Sequence, residues 1–398
     1  MAIRVPGVRL GVARAGIKKA GKDDLTLIEL APGSAVAGVF TQNAFCAAPV
    51  HLARAHQAKT QGAIRYWLTN TGNANAGTGE AGMVDARRSC SELAALTETN
   101  ETEIMPFSTG VIGEPLPIDR LCDALPAAIE DLREDGWERA ALAILTTDTR
   151  AKLASREVEI DGKTVTLAGM AKGAGMICPN MATMLAYVTT DARVDALLLQ
   201  TLTQRAVDAS FNRITVDGDT STNDAAVVAA TGVSAVEITA NNADVLADFE
   251  AALTDLCIEL AQGIVRDGEG ATKFVEVAIE GGKTAEECDQ VAYTIAHSPL
   301  VKTALFASDP NWGRLLAAIG RAGLSELDVN GVTIHINDVL IAEGGARATS
   351  YTEEAGVAAM APTDLRVRID LGRGEVSSVV WTTDFSYDYV KINAEYRT

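Results

Sequence analysis

Residues 171–191 read AKGAGMICPNMATMLAYVTTD and carry the most unusual chemistry in the chain. Lys172 stands beside glycine and leads into Pro179-Asn180, a turn signal. Ala182-Thr183 then precedes the strand-like run Met184 to Val188. A threonine at such a junction can simply open a strand, as a β-former does. It can also be a nucleophile. A Thr hydroxyl has no base of its own, but cutting the peptide bond before it frees an α-amine of pKa about 8 beside the hydroxyl. One residue then supplies nucleophile and base, and acyl transfer proceeds without histidine. Such chemistry needs an oxyanion hole. Phe107-Ser108-Thr109-Gly110-Val111-Ile112-Gly113 offers one, because a Thr hydroxyl and a Gly N–H can aim at one oxygen. A glycine turn after a strand is the plainer reading of that segment.

Three other patterns invite chemistry and carry less. Gly77-Thr78-Gly79-Glu80-Ala81-Gly82 fits G-x-G-x-x-G, but it stands well beyond the strand-like Ala63 to Thr69, whereas a pyrophosphate loop is a tight strand-to-helix turn. Asp217-Gly218-Asp219-Thr220-Ser221 resembles the nucleophile loop of haloacid-dehalogenase-type phosphatases with Ser at its last place. Asp224 and its Ser/Thr neighbours suit helix N-capping equally well. His51, His56, His297 and His335 have no ligand spacing and are assigned no role.

The elements that must hold these residues are mixed. Leu25 to Leu30, Val36 to Phe40 and Ala63 to Thr69 read as strands. Glu157 to Leu167 reads as a hairpin turning at Asp161-Gly162, and Val332 to Ile336, after Asn330-Gly331, as another. Glu375 to Ile392 is rich in Val, Thr and Tyr and reads as strands. Helical spacing marks Ile118 to Glu134, Val194 to Phe211, Asp244 to Val265, Ala285 to Phe306 and Asn311 to Arg321. Strands and helices come in groups, which predicts layered α/β architecture rather than a strict βαβ alternation.

The chain has 398 residues, 47% apolar and 22% charged, with a net charge of -19. That length allows two or three domains or one large α/β unit, with an ample core. Before Thr183 stand 19 basic and 21 acidic residues; from Thr183 onward, 15 and 32. Neither part has the basic surface that nucleic acid or an anionic membrane requires. Six scattered cysteines without Cys-x-x-Cys form neither a disulfide framework nor a zinc ribbon. With no secretory segment and no long apolar run, the expected location is the cytoplasm.

Longer motifs add a resemblance that runs nearly end to end: AGVFTQNAF (37–45), NTGNANAGTG (70–79), STGVIGEPLP (108–117), ILTTDT (144–149), KGAGMICPNMATML (172–185), SFNRITVDGDTSTND (210–224), IVRDGEGATKF (264–274), SDPNWGR (308–314) and DYVKINAEYRT (388–398). With these the chain resembles the glutamate N-acetyltransferase (ornithine acetyltransferase) family of arginine biosynthesis. Ala174 stands where the family often has Ser, a small-for-small change.

The resemblance implies a layered α-β-β-α sandwich with a smaller α/β region in the C-terminal half. It implies self-cleavage between Ala182 and Thr183, giving an α chain (1–182) and a β chain (183–398) interwoven in one catalytic unit. Thr183 would take the acetyl group of N-acetylornithine, release ornithine, and pass the acetyl to glutamate to give N-acetylglutamate, a ping-pong route. Thr109 and Gly110 would form the oxyanion hole. Substrate contacts would fall to Thr146 (with Thr147 an alternative), Lys172, Thr183, Glu269, Asn393 and Thr398, so that the C-terminal tail folds over the site. No metal or organic cofactor is implied. Family frequency favours a bifunctional enzyme that also uses acetyl-CoA as co-substrate, assembled as a heterotetramer of two α and two β chains. A self-cleaving Thr-dependent amidase or peptidase, with water as acceptor, is the alternative.

Overall fold

The computed structural model describes residues 2–18, 21–178 and 184–395. It divides into two compact units, Met1–Asn212 with Asp219–Ile264, and Arg213–Gly218 with Val265–Thr398.

Two sheets build the first unit. One has the order β1 (Val8–Ala13), β2 (Leu25–Leu30), β4 (Tyr66–Asn73), β5 (Ile104–Val111), with only the β4–β5 pair parallel. The other has the order β3 (Ala35–Phe40), β10 (Ala225–Ala230), β8 (Leu185–Thr190), β7 (Lys163–Lys172), β6 (Lys152–Ile160), with only β8 and β10 parallel. Short β9 (Arg193–Val194) and β11 (Glu237–Ile238) pair beside them. β6 and β7 form the expected hairpin, with Asp161 at φ 53° and Gly162 at φ 69°, the left-handed pair that Asp-Gly adopts in a tight turn.

Alternation along the strands determines which side chains meet. Ile28, Leu30, Trp67, Met105 and Phe107 from one sheet share a core with Ala168, Met170, Leu185, Tyr187, Ala225 and Val227 from the other. The opposite face of the first sheet sends Leu25, Leu27, Tyr66 and Leu68 against α1 (Ala48–Thr60), α2 (Gly79–Thr97) and α3 (Ile118–Glu130). The opposite face of the second is covered by α5 (Ala196–Ala209) and by α6 (Ala243–Arg266), whose Leu256 and Leu260 close on Gly169. Helices thus cover both outer faces of a two-sheet sandwich, the expected α-β-β-α layering. α4 (Trp137–Ala143) leads from the first sheet's helices to β6.

The second unit is a six-stranded mixed sheet. Its order is β15 (Ala346–Arg347), β14 (Val339–Glu343), β13 (Thr333–Ile336), β16 (Asp364–Asp370), β12 (Phe274–Gly282), β17 (Val376–Thr383). Its apolar core is shared with α7 (Ala285–Ala296), α8 (Pro299–Phe306), α9 (Trp312–Gly320) and α10 (Glu353–Met360); α11 (Tyr387–Ala394) follows β17.

Several sequence expectations are corrected. Ala285 to Phe306 is two helices, because Pro299 starts a new one whose N-cap, Ser298, accepts the Val301 N–H. Glu375 to Ile392 is half strand and half helix: Ser386 caps α11 by accepting the Tyr389 N–H. Asn330-Gly331 belongs to a 3₁₀ turn, and the β13–β14 hairpin turns instead beyond Ile336, with Asn337 at φ 50°. Strand β4 runs four residues past Thr69, to Asn73. Asp224 caps no helix; it stands immediately before strand β10. Among the described residues no helix is long and apolar enough to cross a membrane.

Candidate active site

The alternation that fills the sandwich also aims its polar ends. On β5, Met105 and Phe107 face the other sheet, and Thr109 is next in that series; on β7, Ala168, Met170 and Lys172 form the matching series. Thr109 and Lys172 therefore meet between the sheets. Lys172 is only 3% exposed, and its Nζ donates to Thr109 Oγ1 at 3.0 Å and to Thr146 Oγ1 at 3.1 Å. Of the two threonines that the sequence left open, Thr146 is the one whose hydroxyl meets Lys172.

Gly110 follows Thr109 at φ 136°, in register with Gly72 on β4. A Cβ at Gly110 would lie 2.2 Å from the Gly72 carbonyl carbon and 2.5 Å from the Asn73 nitrogen. Only glycine permits that approach. The loop before β10 fastens this strand end, since Asn223 Nδ2 donates to the Ser108 carbonyl at 3.0 Å and to the Ala74 carbonyl at 2.7 Å.

Around Lys172 lies a buried charge cluster that motif reading passed over. Asp148, whose side chain is wholly buried, accepts the Thr146 N–H at 3.1 Å and the Gly173 N–H at 2.6 Å, and pairs with buried Lys152. Burial pushes the Asp148 carboxyl up, but Lys172, Lys152 and the Gly173 amide outweigh it and hold it at about 2. Asp224 is fully buried, and its Oδ1 accepts the Met184 N–H at 2.6 Å. Its carboxyl lies well above the ordinary range because burial exceeds the opposing pull of Met184, Lys172 and Ser221. Half-buried Lys18 donates to the Leu145 carbonyl, and burial is the main cause lowering its pKa, with Lys22 and Lys172 adding repulsion. Asp148 was visible in the TTDT motif. Asp224 was visible only as a cap of the wrong kind, and Lys18 gave no signal.

The second unit brings together another part of the predicted set. Asn393 Nδ2 donates to Glu269 Oε2 at 2.8 Å. Gly270, at φ 68°, lets this loop close on α11, because a Cβ there would sit 2.5 Å from the Tyr389 nitrogen. Ser386 Oγ donates to the Gly270 carbonyl at 2.6 Å, and Asp384 accepts the Thr272 and Lys273 N–H groups. Ala182, Thr183 and Thr398 lie outside the described residues.

The rival patterns take structural roles. Gly82 packs against the loop before it, since a Cβ there would meet Thr78 Oγ1 at 1.9 Å. Asp217 accepts the Tyr389 hydroxyl at 3.3 Å. His56 Nδ1 bonds the Ile104 carbonyl at 2.6 Å, and His297 Nε2 bonds Thr215 Oγ1 at 3.0 Å. No disulfide joins the six cysteines, all of which lie among the described residues.

A layered α/β scaffold that spends buried lysine, carboxylate and hydroxyl groups at one end of its core is built as an enzyme. Residues 9–398 match the ArgJ family, and the chain belongs to that family. It is 56% identical over 395 residues to the arginine biosynthesis bifunctional protein ArgJ of Pseudomonas syringae pv. tomato, covering 99% of this chain and 97% of that one. The protein of the same name in Methylococcus capsulatus is 56% identical over 394 residues, covering 99% and 96%. Among solved structures, ArgJ of Bacillus halodurans matches with a TM-score of 0.50 and 40% identity, over 52% of this chain and 98% of that chain.

Proposed function

We propose that the chain cuts itself between Ala182 and Thr183 and then moves the acetyl group of N-acetylornithine to glutamate through an acetyl-Thr183 ester. The observation that carries this reading is the buried Lys172 ammonium donating to the Thr109 and Thr146 hydroxyls. It stands at a strand end in register with Leu185, two residues beyond Thr183. Family membership and the arginine-biosynthesis names of the relatives support the substrate assignment.

In this reading each residue has one task. Thr183 Oγ attacks the acetyl carbonyl while its α-amine takes the hydroxyl proton and delivers it to the departing ornithine amine. Thr109 Oγ1 already accepts from Lys172, so its own O–H is turned outward as a donor, and the Gly110 N–H supplies the second donor for the oxyanion. Lys172 answers substrate carboxylates; Glu269, steadied by Asn393, answers the ornithine side-chain ammonium. Glutamate then attacks the ester and returns Thr183 to its free state. In this reading Thr398 joins the substrate contacts, acetyl-CoA is an alternative donor, and no metal or organic cofactor takes part. The working form is a cytoplasmic heterotetramer of two 1–182 chains and two 183–398 chains.

Thr183→Ala tests the core of the reading. It is expected to give one uncut chain without transferase activity, whereas the natural sequence gives two chains and Thr183→Ser still cuts. A single uncut band from the natural sequence sinks the proposal. Measuring N-acetylglutamate formation against net acetate release distinguishes glutamate from water as acceptor, and purified protein given acetyl-CoA and glutamate reports the second activity.

A further inference from the structure

Lys18 has no task in the scheme above, yet the fold holds it firmly beside the proposed oxyanion strand. It stands in the segment between β1 and β2, which buried Asp24 fastens. Asp24 Oδ1 accepts the Ala15 N–H at 2.6 Å, and its Oδ2 accepts the Ile17 and Lys18 N–H groups at 2.6 and 2.9 Å. Amides gathered on one carboxylate fix where the Lys18 backbone lies. The Asp24 carbonyl also accepts the Thr71 N–H of β4 at 2.9 Å. The Lys18 backbone packs on Gly72, the next residue of that strand, where a Cβ would meet Lys18 Cα at 2.9 Å. Gly72 is in turn the register partner of Gly110. From this anchorage the half-buried Lys18 ammonium donates to the Leu145 carbonyl. Next to Leu145 is Thr146, whose hydroxyl accepts from Lys172, and Lys152 pairs with Asp148. Three lysines thus converge on the short segment 145–148. Its Asp148 carboxylate already accepts the Thr146 and Gly173 N–H groups besides Lys152. Lys18 spends a donor on a neutral carbonyl rather than on a carboxylate. Burial is the main cause lowering its pKa, Lys22 and Lys172 add repulsion, and Asp148 and Asp24 oppose them.

The two amino acids of the proposed reaction differ at the end of the side chain: ornithine carries an ammonium there and glutamate a carboxylate. An acid such as Glu269, which suits the first, repels the second. The acceptor therefore needs one cation for its α-carboxylate and another for its side chain. We propose that Lys18 is the second cation, a specificity-determining residue that takes the side-chain carboxylate of glutamate while Lys172 takes the α-carboxylate. This rests on glutamate being the acceptor. The two ammonium groups are held on adjacent residues, 145 and 146, whose Cα atoms are about 3.8 Å apart. That arrangement suits a small molecule with carboxylates at both ends of a short carbon chain. A dicarboxylate bound there gives Lys18 a charged acceptor and relieves its repulsion with Lys172. The step is binding alone, and neither ammonium gives up a proton in it.

Steady-state kinetics of Lys18→Met and Lys18→Arg in the full chain test this, with glutamate and glutamine as alternative acceptors and acetylornithine as donor. Methionine keeps most of the aliphatic stem and removes the charge; arginine keeps the charge. Glutamine matches glutamate in size and lacks the side-chain charge. Lys18→Met is expected to raise KM for glutamate about 10- to 100-fold, the scale of a lost charge-assisted hydrogen bond. KM for acetylornithine should rise by a factor about tenfold smaller than that. The preference for glutamate over glutamine in kcat/KM should fall by the same factor as the glutamate affinity, and Lys18→Arg should recover most of it. A glutamate-to-glutamine preference unmoved in Lys18→Met overturns the proposal. So does an equal rise in KM for donor and acceptor together with a lowered Tm, the mark of a structural role. So does a Lys18→Arg variant that folds like the natural protein yet discriminates no better than Lys18→Met. If the natural protein releases acetate and acetylates no glutamate, the acceptor reading has failed as well; if it acetylates glutamate while Lys18→Met keeps the full preference, only the role of Lys18 has.

Discussion

Replacing Gly110 with alanine tests the proposed oxyanion strand by geometry alone. The residue has φ 136°, and an added Cβ would lie 2.2, 2.5 and 2.6 Å from the Gly72 carbonyl carbon, the Asn73 nitrogen and the Gly72 oxygen, where ordinary contact starts at 3.4 Å. All three atoms are backbone, so no side chain can swing away; β4 and β5 must part by about 1 Å beside a bulge in their ladder. Overpacking of this kind costs about 1–3 kcal/mol, and the unfavourable backbone region costs about 1–3 kcal/mol more. In a unit of this size each kcal/mol lowers Tm by roughly 2–4 °C, so Gly110→Ala should lose about 10 °C. Gly113→Ala is the control: at φ 84° with open space around it, it bears the backbone cost alone. Scanning calorimetry reads both. In the folded fraction, shifting the proposed oxyanion donor by about 1 Å should lower kcat on the order of 100-fold. Equal Tm losses in the two variants, or an undiminished kcat in Gly110→Ala, would refute the reasoning.

Three further predictions concern polar contacts. Asp148→Asn leaves Lys152 and Lys172 without their shared carboxylate and should cost about 3–5 kcal/mol at pH 7. Because the Asp148 pKa is depressed to about 2, its contribution is whole above the ordinary value of 3.8 and is lost as pH falls toward 2, so the gap from the natural protein should narrow by roughly 1 kcal/mol at pH 3 in denaturant titrations. Lys302 on α8 is fully buried, donates to Thr382 Oγ1 and the Thr383 carbonyl, and is lowered by burial to about 7. The unfolded chain binds the extra proton between pH 7 and 10.5, so stability relative to Lys302→Met should rise by about 2 kcal/mol from pH 7 to 9; a flat difference removes the buried amine from the account. Asn393→Ala breaks the bond to Glu269 and should raise KM for acetylornithine about tenfold while scission is unchanged. Steady-state kinetics with an unchanged KM would separate α11 from substrate binding.

The parts of the fold that sequence reveals are those governed by local rules. Asp161-Gly162 predicts the β6–β7 turn because only left-handed-tolerant residues make it, and the apolar spacing of α3, α5 and α6 marks their buried faces. The misread parts had competing local signals. Val, Thr and Tyr in 375–392 fit a strand, and only Ser386 as a cap reveals the helix; Pro299 is the sole break in an otherwise continuous apolar pattern. At the site, motif resemblance singled out Thr109, Thr146 and Lys172, which the fold brings within 3.1 Å. It also singled out Glu269 and Asn393, which meet at 2.8 Å. It could not supply Asp148, Lys152 and Asp224 as a cluster, because their association depends on strand register: Lys172 opposite Leu185 and Leu185 opposite Ala225 bring together residues that are tens of positions apart in sequence.

That register also explains why the polar end of the sandwich stands out once the sheets are known. Two inward-facing series run along facing strands of the two sheets: Met105, Phe107, Thr109; and Ala168, Met170, Lys172. A structural core would continue each series with another apolar side chain. Each instead ends in a hydroxyl or an ammonium, and burying such groups costs more than an apolar residue at the same place. Asp148 offsets part of that cost for Lys172, whereas burial raises the Asp224 carboxyl and adds a cost of its own. A stability-driven core would have removed these groups. Their presence where two apolar series end together is therefore better explained by chemistry between the sheets than by folding.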